Sequence, residues 1–431
     1  MKCIKDEIPF EVPEGWAWAR LKHVCMMAAG KSKQTNQIKA EPFEGCYPCF
    51  GGNGIRGYVD EYNQDGTFSI VGRQGALCGN VKIASGKFYA TEHAVVITLF
   101  DGIDFYWNNY ALEALRLNEY ATGAAQPGLS VANVLNVFIP VPPTHEQKQI
   151  GVKITESIKA IKSIEQEKLD LQTVVANAKS KILNLAIRGK LVPQNPDEEP
   201  ASVLLARIRA EKEELIKQGK IKRDKKESVI FKGDDNSYYE KLPDGKVNCI
   251  DEQLPFELPD GWKWCNLSMV GTTNIGLTYR PADIDTQGII VLRSCNIVKD
   301  EINLTDLVRV KTSIRENQFV QKDDILICAR NGSRSLVGKC TLIPEFDEKV
   351  SFGAFMAVYR TPYFNYIVHF LRSNFFRSVF DDSNSTAINQ LTQDMLKRAV
   401  IPLPPLAEQL RIVDKITELF ERLNCIEESL I

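Results

Sequence analysis

The chain has 431 residues, 44 % of them hydrophobic and 25 % charged, an ordinary globular composition whose length suggests two or three domains, each able to bury a core. A formal net charge of −2 excludes a globally basic nucleic-acid binder, so any positive charge facing a polyanion must be local. No run of about 18 apolar residues and no signal-type stretch at the N-terminus is present, and eleven cysteines without paired spacing fit a reducing compartment, so a cytoplasmic protein with no membrane contact is expected.

Taken in chain order, the first landmark is Pro9-Phe10-Glu11-Val12-Pro13-Glu14-Gly15-Trp16-Ala17-Trp18, which returns as Pro255-Phe256-Glu257-Leu258-Pro259-Asp260-Gly261-Trp262-Lys263-Trp264. A Gly-rich segment, Pro48 to Tyr58, follows and presents Asn53 and Arg56 from a backbone that can approach a surface closely. Phe68 to Gly72 reads as a strand leading into Arg73-Gln74-Gly75, and Asn109 to Leu117 reads as a short helix. The loop Gln126-Pro127-Gly128-Leu129-Ser130 precedes the closing signature Ile139-Pro140-Val141-Pro142-Pro143-Thr144-His145-Glu146-Gln147.

Because proline suits a first helical turn and not a helix interior, a helix starts at about Thr144. Leu171, Val175, Ala178, Ile182 and Leu185 step by 4, 3, 4, 3, a coiled-coil seam, and the helix should end near Arg188-Gly189. The Pro-rich break from Val192 to Pro200 leads to a second amphipathic stretch, Ala201 to about Lys217, and residues 219–254 read as a solvated linker. The second module repeats the plan. It has a strand at Asp324 to Cys328, then Arg330-Asn331-Gly332, a helix at Tyr366 to Arg372 and the loop Asn389-Gln390-Leu391-Thr392. It closes on Ile401-Pro402-Leu403-Pro404-Pro405-Leu406-Ala407-Glu408-Gln409, with a seam at Ile412, Ile416, Leu419, Leu423, Ile426 and Leu430.

Catalytic signatures are near misses. Gly30-Lys31-Ser32 resembles the end of a phosphate-binding loop, but the required first glycine is Cys25. Cys46-Tyr47-Pro48-Cys49 has no second cysteine pair, Asp347-Glu348-Lys349 could end a nuclease-type motif only with a further acid held nearby and is a triplet common in loops, and four histidines offer no nucleophile–base pair. No cofactor is expected. The modules carry instead planar amides and guanidinium groups in Gly-flanked loops, the groups that read adenine and guanine edges by paired hydrogen bonds or hold phosphates. The candidate DNA-binding residues are Asn53, Arg56, Arg73, Gln74, Lys82, Gln126 and Ser130 in the first module. In the second they are Tyr279, Arg280, Arg293, Asn296, Arg330, Asn331, Arg334, Asn389 and Gln390.

With its two Gly-Trp-x-Trp openings, two Ile-Pro-x-Pro-Pro-x-x-Glu-Gln closings and the segment Ala178 to Gln194, the chain resembles the DNA-specificity subunits of type I restriction-modification systems along essentially its full length. The resemblance implies an α+β protein of two mixed α/β target-recognition domains, 1–143 and 255–405. Between and after them lie helical spacers, 144–218 and 406–431, forming an antiparallel coiled coil in a pseudo-twofold internal repeat, with 219–254 as linker. It further implies a non-catalytic subunit that binds double-stranded DNA, each domain reading one half of a bipartite site. Two copies of an adenine methyltransferase subunit and a nuclease–translocase subunit are the implied partners. The second spacer is expected to be the shorter, since nothing after Pro405 answers Ala186-Ile187-Arg188-Gly189-Lys190-Leu191. Residues 1–150 hold 13 Lys and Arg against 15 Asp and Glu, so basic groups must cluster or the partners must supply phosphate contacts. Two other readings remain: a fused enzyme, which needs a longer polypeptide, and a helical scaffold whose ends bind proteins.

Overall fold

In each half of the chain the opening segment pairs with the closing segment. The computed structural model describes residues 8–75, 77–123, 127–221, 223, 227–381 and 390–430. The chain divides into two compact units, Met1–Glu167 and Lys168–Ile431.

In the first unit, β1 (Ala17–Arg20) pairs antiparallel with β8 (Phe138–Val141), placing Trp18 opposite Pro140. Between them come β2 (Cys25–Ala29), β3 (Tyr47–Gly51), β4 (Gly54–Val59), β5 (Gln64–Gly72), β6 (Val81–Ala90) and β7 (Ala94–Leu99). These form one sheet in the order β2-β7-β5-β6-β3-β4, antiparallel except for β3 beside β6. Because successive strand residues face opposite sides, Val71, Val95 and Ile97 join the core beneath α1 (Phe105–Ala114) and α2 (Val131–Val134), while Ile70, Ala94 and Val96 pack with Phe50 and Phe88 on the other face. Each fully buried side chain of this size contributes about 1.5–3 kcal/mol. Helix α1 begins four residues before the expected Asn109, because Asp104 caps it by accepting from the Trp107 amide at 2.9 Å.

Helix α3 (Thr144–Ile187) starts and stops where the prolines and glycine predict, and its 44 residues span roughly 66 Å. Its last turns belong to the second unit, where Leu183, Ala186 and Ile187 share a core with Ile412 and Ile416 of α9 (Leu406–Glu428). Lys179 Nζ donates to Glu427 Oε2 at 2.8 Å, and Arg411 donates to the Pro193 carbonyl at 2.8 Å, so this stretch of chain and α9 run antiparallel. The two helices are unequal, 44 residues against 23.

The second unit also holds α4 (Ala201–Lys217), which matches its predicted bounds. Residues 219–254 depart from the expected solvated linker: β9 (Val229–Lys232), β10 (Tyr238–Lys241) and β11 (Val247–Cys249) form a three-stranded antiparallel sheet. Asn266 anchors it, its Nδ2 donating to Ser228 Oγ at 2.6 Å and Glu240 Oε1 at 3.1 Å. Stacking of Phe231 on Tyr239 at 5.8 Å adds apolar contact that the charged flanks conceal in the sequence.

Next come β12 (Lys263–Asn266), α5 (Leu267–Val270), β13 (Thr272–Ile275), β14 (Ile284–Leu292), β15 (Ile297–Val298), β16 (Glu301–Ile302), β17 (Val308–Val310) and β18 (Ile325–Cys328). After these lie β19 (Cys340–Leu342), β20 (Val350–Phe352), β21 (Met356–Arg360), α6 (Phe364–Arg372), α7 (Asn374–Asp381), α8 (Gln393–Arg398) and β22 (Val400–Leu403). Strand β12 pairs with β22 and sets Trp264 opposite Pro402, as Trp18 faces Pro140. The main sheet runs β13-β21-β18-β19, with Ile325 and Ile327 facing the helical core and Leu326 and Cys328 facing a second core with Phe352.

The repeated residues make the same clasp twice. Trp16 Nε1 donates to Glu146 Oε2 at 3.0 Å, and Trp262 Nε1 to Glu408 Oε2 at 2.9 Å. Gln147 Nε2 donates to the Pro142 carbonyl at 2.8 Å, and Gln409 Nε2 to that of Pro404 at 3.0 Å. Phe10 meets Trp18 at 4.9 Å as Phe256 meets Trp264 at 5.1 Å. Gly15 and Gly261 turn the chain with φ of +87° and +80°, a conformation that side chains resist.

Candidate nucleic-acid interface

Backbone bonds place one loop in the same register in both units. Gly72 pairs with Ala94 at the end of β5, and Cys328 pairs with Met356 at the end of β18. One residue on, the Arg73 amide donates to the His93 carbonyl at 2.9 Å, and the Ala329 amide to that of Phe355 at 2.9 Å. The closing loop then docks alike: Leu129 N donates to the Arg73 carbonyl at 2.8 Å and Leu391 N to that of Ala329 at 2.7 Å. Gln74 bridges Gly128, and Arg330 bridges Gln390.

The structure therefore aligns Gln74 with Arg330 and Arg73 with Ala329. The sequence pairing of Arg73-Gln74-Gly75 with Arg330-Asn331-Gly332 is displaced by one residue, because β18 ends at Cys328 and Ala329 takes the first place beyond the strand. Arg73 is half-buried, whereas Gln74 and Arg330 are exposed.

In the first unit, Gln74 lines an open groove of about 550 Å³ together with Asn53, Arg56 and His93. Glycines make the groove: a Cβ on Gly72 would lie 1.9 Å from the Gly52 carbonyl oxygen, so the β3–β4 turn can press against the end of β5 only without side chains there. Arg56 Nη2 donates to Thr35 Oγ1 at 2.9 Å, and Asn53 Oδ1 accepts from Asn80 Nδ2 at 3.1 Å. Lys82 lies outside this groove, exposed on β6 in an adjoining hollow with Leu77 and Asn80, and Ser130 is exposed just before α2. Gln126 lies outside the described residues.

In the second unit, Arg330, Asn331 and Gln390 come together. The Arg330 guanidinium sits 5.5 Å from the centroid of the Phe355 ring, which is 61 % exposed. Asn331 Nδ2 donates to Ser294 Oγ at 3.1 Å and its Oδ1 accepts from the Ser333 amide at 2.9 Å, which links the loop to Arg293. Arg293 pairs with Asp306 at 3.0 Å and Arg280 with Asp283 at 3.4 Å; Arg334 is exposed on a single 3₁₀ turn. Tyr279 packs half-buried against Leu277, Val291 and Val310. Asn296 departs from its expected surface role: only 1 % exposed, it donates to the carbonyls of Asn303 at 2.9 Å and Asp306 at 2.8 Å and accepts from the Arg293 amide. Asn389 lies outside the described residues.

His93 and Phe355 went unmarked in the sequence, since a ring's partner becomes visible only when strand register is known. Each immediately precedes an equivalent strand, β7 or β21, and that position was the available signal.

The other chemistry resolves into structure. Lys31 N donates to the Ala90 carbonyl at 3.0 Å, and a Cβ on Gly30 would lie 2.0 Å from that same oxygen, so the segment lies against β6 and cradles no phosphate. Glu348 pairs with Arg309 through contacts of 2.7 and 2.8 Å, and the guanidinium holds its carboxyl below the usual range. Among the described residues Cys46 and Cys49 are free thiols, no group of three His, Cys, Asp or Glu gathers to hold a metal, and no helix is long and apolar enough to cross a membrane.

The family model described as the type I restriction modification DNA specificity domain matches residues 13–173 and again 261–431. The chain is 26 % identical, over an alignment 492 positions long with its gaps, to the EcoAI type I restriction enzyme specificity subunit of Escherichia coli, covering 97 % of this chain and 80 % of that one. It is 49 % identical over 125 residues to the EcoprrI specificity subunit of Escherichia coli, spanning 28 % of this chain but only 31 % of that protein's length. A 32 % identical match of 177 residues to the EcoKI subunit of Escherichia coli (strain K12) spans 39 % of this chain and 38 % of that one. Among solved structures, the HsdS subunit from Thermoanaerobacter tengcongensis shares the fold with a TM-score of 0.51 at 14 % identity, covering 99 % of this chain and 94 % of that one. A chain from a study of complex assembly and conformational transition of the type I R-M system gives 0.59 at 15 %, covering 98 % of this chain and 94 % of that one. The chain belongs to the type I restriction-modification DNA specificity family, the non-catalytic DNA-recognition subunits of type I restriction enzymes.

Proposed function

We propose that this chain reads a bipartite DNA sequence, one half through each module, and directs adenine methylation and restriction by partner subunits in the cytoplasm. The partners in this reading are two copies of a methyltransferase subunit and a nuclease–translocase subunit. The observation that carries it is the duplicated loop register, which sets an exposed planar polar head at one backbone position twice in a chain of this family.

Chemically, amide and guanidinium groups suit the edges of bases in the major groove, and Lys82, Arg56 and Arg334 suit phosphates. With a net charge of −2, phosphate contact must be concentrated on these loops or shared with partners. Two tethered modules need only weak half-sites, since engagement of one raises the effective concentration of the other. The length of α3 then sets the gap between half-sites.

A mobility assay over a range of salt separates this from a protein-binding scaffold. DNA recognition predicts that log Kobs falls linearly with log salt, by about 0.9 per phosphate contact. Absence of any duplex binding at low salt would favour the scaffold.

A further inference from the structure

Resting on that reading, we propose that one equivalent position, Gln74 in the first module and Arg330 in the second, is the base-reading position of each, and that Gln74 takes an A·T pair while Arg330 takes a G·C pair. Three observations converge on it.

The backbone at this position is fixed from both sides in both units, by the bridge to the closing loop and by the strand end before it. A held backbone fixes where each polar head starts, so only its side-chain rotamers are ordered when it meets a base edge. Each head also has a ring at the matching place: His93 lines the groove with Gln74, and the exposed Phe355 lies under the Arg330 guanidinium. Finally, among the described residues no side-chain hydrogen bond or ion pair engages Gln74 or Arg330. Asn53, Asn296, Asn331, Arg293, Arg280 and Arg56 are engaged by partners within their own units, Arg73 is half-buried, and Lys82 lies in a separate hollow.

The chemistry differs between the two because the side chains differ. A carboxamide matches the donor–acceptor pair of adenine N6 and N7, and a guanidinium matches guanine O6 and N7. The modules therefore share one reading geometry and differ in the letter read.

The test is selection from a pool of randomised duplexes by the full chain, purified with whatever subunits accompany it in its host, as wild type, Gln74→Arg and Arg330→Gln. Wild type should select a split motif. Arg330→Gln should turn one G·C preference in one half-site toward A·T, and Gln74→Arg should do the converse in the other half, each by roughly 5- to 150-fold. The untouched half-site keeps its preference and reports that the fold is intact. Unchanged preference at every position overturns the assignment, as does equal weakening on all sequences, the mark of a phosphate contact. If Arg330→Gln selects nothing, Arg330→Ala removes the head altogether: relaxation at one position supports base reading, and unchanged preference overturns it. A wild type that selects no split motif would instead sink the bipartite reading itself.

Discussion

Asn296 satisfies three backbone groups from inside the second unit, so Asn296→Ala should destabilise by roughly 1–3 kcal/mol. Urea unfolding would register that loss, while the base preferences of the surviving folded protein should stay unchanged. His369 makes a second residue-scale prediction. Burial, with its ring 6.3 Å from that of Phe420, and then the Arg372 charge hold its pKa down from 6.5 to about 3. Since the folded value lies below the unfolded one, the stability it contributes is full above about pH 6.5 and is lost as pH falls toward 3. Relative to His369→Leu, wild type should lose up to about 1.4 kcal/mol per pH unit across that window. Parallel stability curves would show that His369 titrates normally. At this scale the sequence was a partial guide. It marks Gln74 and Arg330 as capable of reading bases, but residue type alone cannot show that Asn296 faces inward or that Gln74, rather than Arg73, occupies the place of Arg330.

Elements were more legible, because their signals are local. Prolines before Thr144 and Leu406 start the two long helices, and the alternation in β5 and β18 buries both sheet faces. The three-stranded sheet between β9 and β11 escaped detection, since its strands are short and half polar and are anchored by Asn266 from a distant segment. The clasp explains why the borders of the repeat are alike. In the second unit Trp262 is 3 % exposed and Glu408 1 % exposed, and Gln194 Nε2 also donates to Glu408 Oε1 at 2.7 Å; Trp16 in the first unit is only half-buried. Glu408→Ala strands two donors, so it should cost roughly 2–4 kcal/mol, against about 1 kcal/mol for Glu146→Ala. Equal losses in unfolding experiments would mean that the two clasps carry the same load despite their different burial.

For the whole molecule, the proposed function rests on two modules joined by one long helix. If α3 is the ruler, four residues inserted after Ser163 lengthen it by about 6 Å, which should widen the selected gap by on the order of one or two base pairs. An unchanged gap would show that spacing is set elsewhere. The most direct test is methylome sequencing of a host with and without this gene. One adenine-methylated split motif should vanish on deletion and return when the gene is restored; if none disappears, the chain does not direct methylation to a bipartite site.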